Sequence, residues 1–127
     1  MEEKKTNEEI EQLTLETFTS MADYLPRLIP TLETLIHELR EDMQEDTMEL
    51  LDMAVNGINW VIEAYNATSE IVNRNSLRVD TVQMDQKVKE FGDAYQTKDY
   101  AKIADDLENM VIPFLKIMLE VAEEQSR

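Results

Sequence analysis

The stretch MELLDMAVNGINWVIEAYNATSEIV, residues 48–72, decides the fold. Met48, Leu51, Val55, Ile58, Ile62, Tyr65, Ser69 and Val72 recur at alternating steps of three and four. A strand places every second residue on one face, whereas a helix places every third or fourth. The spacing therefore predicts a helix with a heptad-like seam, and such a seam needs a neighbouring helix to cover it. Gly57 lies inside the run and costs about 1 kcal/mol relative to alanine there. Its expected reason is close approach of a neighbouring helix, under Trp60 or a proline bend.

Working outward, residues 40–49 are polar and break the apolar period, and Asp46 or Thr47 can cap the helix that follows. Upstream, Thr6-Asn7-Glu8-Glu9 reads as a capping box. Ile10, Leu13, Phe18, Met21 and Leu25 follow it, and Leu28, Leu32, Leu35, Ile36 and Leu39 resume the pattern beyond Pro26 and Pro30. One long helix kinked at the prolines, from 7 to about 42, is the favoured reading. The alternative is two helices, the second capped by Asp23. Each interior proline removes one backbone hydrogen bond and crowds the carbonyl four residues back.

Downstream, Asn73-Arg74-Asn75-Ser76 reads as a turn, and Leu77, Thr81, Met84, Val88, Phe91 and Tyr95 mark a third helix. Asp99 is expected to cap a fourth, with Tyr100 packing back across the turn near Tyr95. That last helix carries Ile103, Leu107, Met110, Phe114, Ile117 and Val121, again at steps of four and three. Ala104, Val111, Met118 and Ala122 widen the stripe, as in a helix with two neighbours. The register continues through Pro113, so this proline reads as a kink inside one helix. Any site is to be sought where its curve opens a groove. The segments 1–6 and 123–127 are expected to fray.

The fold class that follows is all-α: an up-down antiparallel bundle of about four helices, the first long and kinked, forming one domain over 1–127. Two glycines, three prolines and no cysteine among 127 residues agree with that class. The absence of cysteine excludes disulfides, zinc–thiolate sites and thiol nucleophiles. The charged start MEEKKTNEEIEQ lacks an apolar secretory core, and no run is long enough to span a bilayer, so the cytoplasm is the expected location.

The net charge is −16. Residues 1–70 hold 17 acids against 4 bases (−13), and residues 71–127 hold 11 against 8 (−3). Such a balance disfavours nucleic-acid backbones and anionic membranes as partners. It serves solubility, or steers the protein toward a basic partner.

Catalytic equipment is sparse. A di-metal bundle needs Glu-x-x-His twice, but His37 is the single histidine and position 34 is threonine. His37 is expected on the surface, paired with Glu33 or Glu41. The acidic block Glu41, Asp42, Glu45, Asp46 and Glu49 has no loop glycine for a calcium hand. Asp105 and Glu108 share a helix face and, with Lys102, read as surface pairs. No catalytic, metal or cofactor residue is therefore assigned, and no enzyme activity is expected.

Candidate partner contacts are Trp60, Met53, Met84, Met110 and Met118, because exposed aromatics and adaptable methionines recur at docking surfaces; the other reading is core filling for the methionines and a flanking core position for Trp60. The expected role is a non-catalytic protein–protein interaction module: an adaptor, regulator or chaperone-like unit. Its partner would be another protein, such as a helix docked in an apolar groove, or a second copy of the chain. Two alternatives are a ligand-binding or enzymatic bundle with a pocket at the proline bends, and an acidic nucleic-acid mimic that binds a basic protein.

The motif Asp99-Tyr100-x-x-x-Ala104-Asp105-x-Leu107-Glu108-x-x-x-x-Pro113-x-Leu115 resembles the C-terminal segment of small, uncharacterised acidic helical proteins of Gram-positive bacteria, some of them associated with motility gene clusters. The resemblance spans 99–115 and implies no catalytic residues. Residues 94–108 are also similar to the turn of a tetratricopeptide repeat, without the 34-residue period that such repeats need. Flagellar export chaperones are similar in size, acidity and helix count alone.

Overall fold

Helices account for nearly all of residues 7–126, the part of the chain described by this computed structural model. They are α1 (Asn7–Glu41), α2 (Thr47–Val72), α3 (Thr81–Thr97), α4 (Tyr100–Asp106) and α5 (Ile112–Gln125). A π-helical turn, Leu107–Val111, joins α4 to α5, so these three segments form one C-terminal rod. The described residues thus form an all-α bundle of four rods. The expected capping box begins at Thr6, outside the described residues, as do the side chains of Asn7, Glu8 and Ile10.

α1 runs unbroken through Pro26 and Pro30. Both prolines are exposed and four residues apart, on the helix side away from Leu25, Leu28, Ile29 and Leu32, which are buried. The carbonyls of Ala22 and Pro26, which lose their helical donors, therefore lie on the water side, where the cost of an interior proline is least. Asp23 caps no second helix. It sits mid-helix and accepts from Arg27 Nη2 at 2.9 Å.

The core runs through all four rods. Phe18, Met21, Leu25, Leu32 and Leu35 of α1 meet Leu51, Ile58, Val61 and Tyr65 of α2 and Ile103, Leu107, Leu115 and Met118 of the C-terminal rod. α1 packs on α2, α4 and α5, while α3 leans on α4 and does not pack closely along α2. Length contributes to this: α3 has 17 residues against 26 in α2. Three seams of the bundle are closed, and the seam between α2 and α3 is open.

The open seam changes the reading of α2. Its buried line is Leu51, Ala54, Ile58, Val61, Tyr65, Thr68 and Val72. Met48, Val55, Ile62 and Ser69, expected in the seam, are only half-buried. Of these, Val55 and Ile62 lie on the flank that α3 leaves uncovered.

The π turn explains Pro113. The Ile112 N–H reaches back five residues, to the carbonyl of Leu107. One residue is thereby added to the turn directly ahead of the proline, where a regular turn would press the ring against the carbonyl of Asn109. The buried line then steps Ala104, Leu107, Val111, Leu115, Met118, Ala122, with two consecutive steps of four. The expected register through Met110 and Ile117 is displaced, and both residues are only half-buried. The rod continues to Gln125, into the tail expected to fray from Glu123.

The connections are held by side chains. At the first, Thr47 is fully buried, accepts from the Gln44 N–H at 2.8 Å and donates to Glu38 Oε1 at 2.6 Å. Asp46, the N-cap residue, makes no capping bond. At the second, α3 starts at Thr81 rather than near Leu77, with Asp80 capping it by accepting from the Gln83 N–H at 3.1 Å. Asn73 Oδ1 accepts from the N–H groups of Arg78 and Val79, each at 3.0 Å, and so shapes the loop. Leu77 is left 73% exposed. At the third, Lys98 adopts a left-handed conformation (φ 58°) and Asp99 accepts from the Lys102 N–H at 3.2 Å, the expected cap.

Candidate functional site

Two concave surfaces flank α2, and they lie on roughly opposite sides of it at 100° per residue. The first is the open seam. Val55, Ile58 and Ile62 of α2 form one wall, and Met84, Val88 and Phe91 of α3 form the other. Met110, Val111 and Phe114, in and just after the π turn, form the floor. The cleft holds about 240 Å3. Asn59, Gln96 and Tyr95 bring the polar groups of the lining, and no charged residue lines it.

Polar ties close the cleft at both ends. At one, the Tyr95 hydroxyl of α3 donates to Asp52 Oδ1 of α2. That bond, then burial, raises the Tyr95 pKa above its ordinary value, because both oppose the phenolate. At the other end, the buried Tyr65 hydroxyl shares a 2.6 Å hydrogen bond with Thr81 Oγ1 and accepts from Asn73 Nδ2 at 3.2 Å. The Tyr65 ring meets Phe114 of the floor edge-on, with centroids 5.7 Å apart. The seam is therefore latched at its ends and left unfilled between them.

The second surface lies between α1 and α2. Tyr24, Arg27, Met53 and Trp60 line a shallow depression there, with Ser20, Asp23 and Asn56 around it. Tyr24 meets Trp60 edge-on, with centroids 5.9 Å apart. Gly57 lies directly beneath: a Cβ there would overlap the Tyr24 hydroxyl and sit 3.0 Å from its Cζ. The glycine expected to mark close approach does so, to a tyrosine two residues ahead of Pro26. Trp60 stays 38% exposed and Met53 65%.

The five expected contact residues divide accordingly. Trp60 and Met53 share the α1–α2 surface, and Met110 is half-buried in the cleft floor. Met84 is buried and adds only an edge to the cleft wall. Met118 is corrected: it is fully buried, because the double step of four turns it into the core, and it can meet no partner. Pro113 is exposed, and Tyr100 is half-buried against the core. The Tyr95 hydroxyl is taken up by Asp52, and Tyr95 and Tyr100 are both partly buried against the core.

Among the charged groups, His37 pairs with Glu41, Nδ1 to Oε2 at 3.4 Å, on an exposed face. Asp105 and Glu108 do share a face, but their partner is Arg40 at the end of α1, at 2.7 and 3.0 Å. Those hydrogen bonds, Glu108 first, raise the Arg40 pKa further. Lys102 instead donates to Asp106 Oδ1 at 2.6 Å. Asp106 is buried, and its Oδ2 has no hydrogen-bond partner among the described residues. Among those residues no cluster of three or more acids or histidines could hold a metal ion, and no helix is long and apolar enough to cross a membrane.

A family model described as a domain of unknown function, DUF8042, matches residues 16–121. The chain belongs to the DUF8042 family. No curated protein and no solved structure matches it. The DUF8042 match takes in both concave surfaces, the π turn and both latches; of the described helices it leaves out the start of α1 and the last turn of α5.

Several functional positions had weak signals in the sequence. Tyr24 lay between the apolar residues expected in α1 and read as neither core nor contact. Gly92, half-buried in the cleft wall, drew no reading at all, although a second glycine in a glycine-poor helical chain was a visible signal. Asn73 reads only as a turn residue and Asp52 carries no sequence signal, because nothing local shows that each reaches across to another element.

Proposed function

We propose that this DUF8042 protein is a non-catalytic interaction module of the cytoplasm that docks a protein partner on the α1–α2 face. The observation that carries this reading is the pairing of exposed Trp60 and Met53 over a preformed depression. Exposed tryptophan is enriched among residues that dominate binding energy, and methionine adapts to irregular partner surfaces. Tyr24 holds the Trp60 ring edge-on, so little side-chain freedom is lost on docking. Both helices of the face belong to the half of the chain with net charge −13, which favours a partner whose contact patch is rimmed by Lys and Arg. The cleft on the other side of α2 carries no acid, histidine or serine in its lining, which supports a binding role over a catalytic one.

Affinity capture with the wild-type chain, Trp60→Ala and Met53→Glu tests the reading. A partner held by the wild type and lost by both variants is the expected result. Equal capture by all three, with unchanged folding, removes the α1–α2 face from the proposal. Sedimentation of the same variants distinguishes a foreign partner from a second copy of the chain.

A further inference from the structure

The chain has two glycines, and the structure explains only one of them from within the protein. Gly57 seats Tyr24. Gly92 is different: it lies inside α3, its φ is not positive, and a Cβ built on it would meet nothing within 4 Å. A glycine in a helix interior is unfavourable relative to alanine, so a position with room for a methyl group and no backbone need for glycine has no folding reason to keep one. Gly92 lines the α2–α3 cleft. Its missing side chain is space in that cleft.

We infer that the α2–α3 cleft is a binding site for a small, neutral, apolar molecule, with Gly92 providing part of the room. The cleft holds about 240 Å3, at the small end of the range for ligand pockets, about 300–1,000 Å3, which suits a small guest. The Tyr95–Asp52 and Tyr65–Thr81 ties bridge α2 and α3 on either side of the cleft, which favours a compact guest over a long extended chain. Charge narrows the class further. The walls and floor are aliphatic, thioether and aromatic, with no cation to meet an anion, and the net charge of −16 repels one. The Asn59 and Gln96 amides are exposed, one on each helix, where they can hold a single hydroxyl, carbonyl or amide of the guest. The thioethers of Met84 and Met110 let the walls adapt to guests of differing shape. This site is independent of the Trp60 face and stands or falls separately from it.

The experiment is a fluorescence titration of the full chain with N-phenyl-1-naphthylamine, a neutral apolar probe, beside its anionic counterpart 8-anilinonaphthalene-1-sulfonate. Saturable binding of one neutral probe per chain is expected, with the anionic probe at least tenfold weaker. Gly92→Leu, which fills the cleft from its wall, is expected to weaken the neutral probe at least tenfold, and Trp60→Ala to leave it unchanged. Gly92→Ala, which keeps the helix and adds one methyl, is expected to weaken it about threefold and serves if the leucine variant does not fold. No saturable binding by the wild type, equal binding by both glycine variants, preference for the anionic probe, or loss of binding in Trp60→Ala would each overturn the inference.

Discussion

The two sides of α2 meet their neighbours in different ways. Toward α1, the glycine at the contact is filled by a tyrosine ring, and that ring is capped by a tryptophan. Toward α3, the glycine faces empty space, and hydrogen bonds tie the two helices near the ends of the seam. The difference shows how one helix can serve the core and a site together. α2 gives its buried line to α1 and α5, and its flank of Val55 and Ile62 to a cleft. Packing holds the closed seams, whereas polar latches set the width of the open one.

Core truncations give the widest contrast between closed and open seams. Leu115 is fully buried where α5 faces α1, so Leu115→Ala is expected to cost about 2–5 kcal/mol. Val55→Ala, on the half-buried cleft wall, is expected to cost less than about 1 kcal/mol. Urea unfolding of both variants measures the contrast, and similar losses would mean that the seam between α2 and α3 closes in solution.

The latch at the Tyr65 end comes next. Asn73→Ala removes two bonds to loop N–H groups and one to Tyr65, and is expected to cost about 1–3 kcal/mol. Hydrogen exchange should quicken in α3 more than in α1. Uniform quickening would mean that α3 is held by something other than its latches.

Tyr95→Phe tests the second latch through pH. Bonding to Asp52 raises the folded-state pKa of Tyr95, so the protonated phenol is the form that stabilises the fold. That contribution is complete below the unfolded pKa, about 10, and is lost as pH rises through the higher folded value. Wild type is therefore expected to exceed Tyr95→Phe in stability at pH 8, with the gap closing above about pH 10. A gap that does not narrow as pH rises above about 10 would mean that the Asp52 bond is not what Tyr95 contributes.

Pro113→Ala is expected to change stability least, by under about 1 kcal/mol, and to keep the π turn. A bend imposed by the proline itself would straighten in this variant. The buried line argues otherwise: Leu107 and Leu115 are both fully buried only with the extra residue between them. Closing the turn would rotate α5 by about 100° relative to α4. Backbone chemical shifts of 107–111 typical of a regular α-helix in the variant would show that the proline, and not the core, imposes the turn.

The fold was largely legible because heptad-like spacing and caps such as Asp99 are local signals. The unbroken α1 followed from the apolar period resuming beyond Pro30. What stayed hidden was relational. The seam in α2 could be found, but not which of its flanks would lie uncovered, since that depends on how far the shorter α3 reaches. The π turn left no local mark, because a stripe wide enough to touch two neighbours hides a shift of one residue. Trp60 and Met53, two of the candidate contacts, are exposed, whereas Met118 fits the core-filling reading of the methionines. Gly57 announced a close approach but not Tyr24, and Gly92 gained meaning only once nothing was found beside it.

Thermal unfolding of Gly57→Ala and Gly92→Ala, measured side by side, tests the contrast most directly. Both changes carry the same gain in helix propensity, so any difference reports what surrounds each position. Gly92→Ala is expected to raise Tm by about 2–4 °C. Gly57→Ala is expected to leave Tm unchanged or lower it, since displacing Tyr24 from Trp60 forfeits about 0.5–1.5 kcal/mol. Equal gains at both positions, or a loss at Gly92, would contradict one filled and one open side of α2.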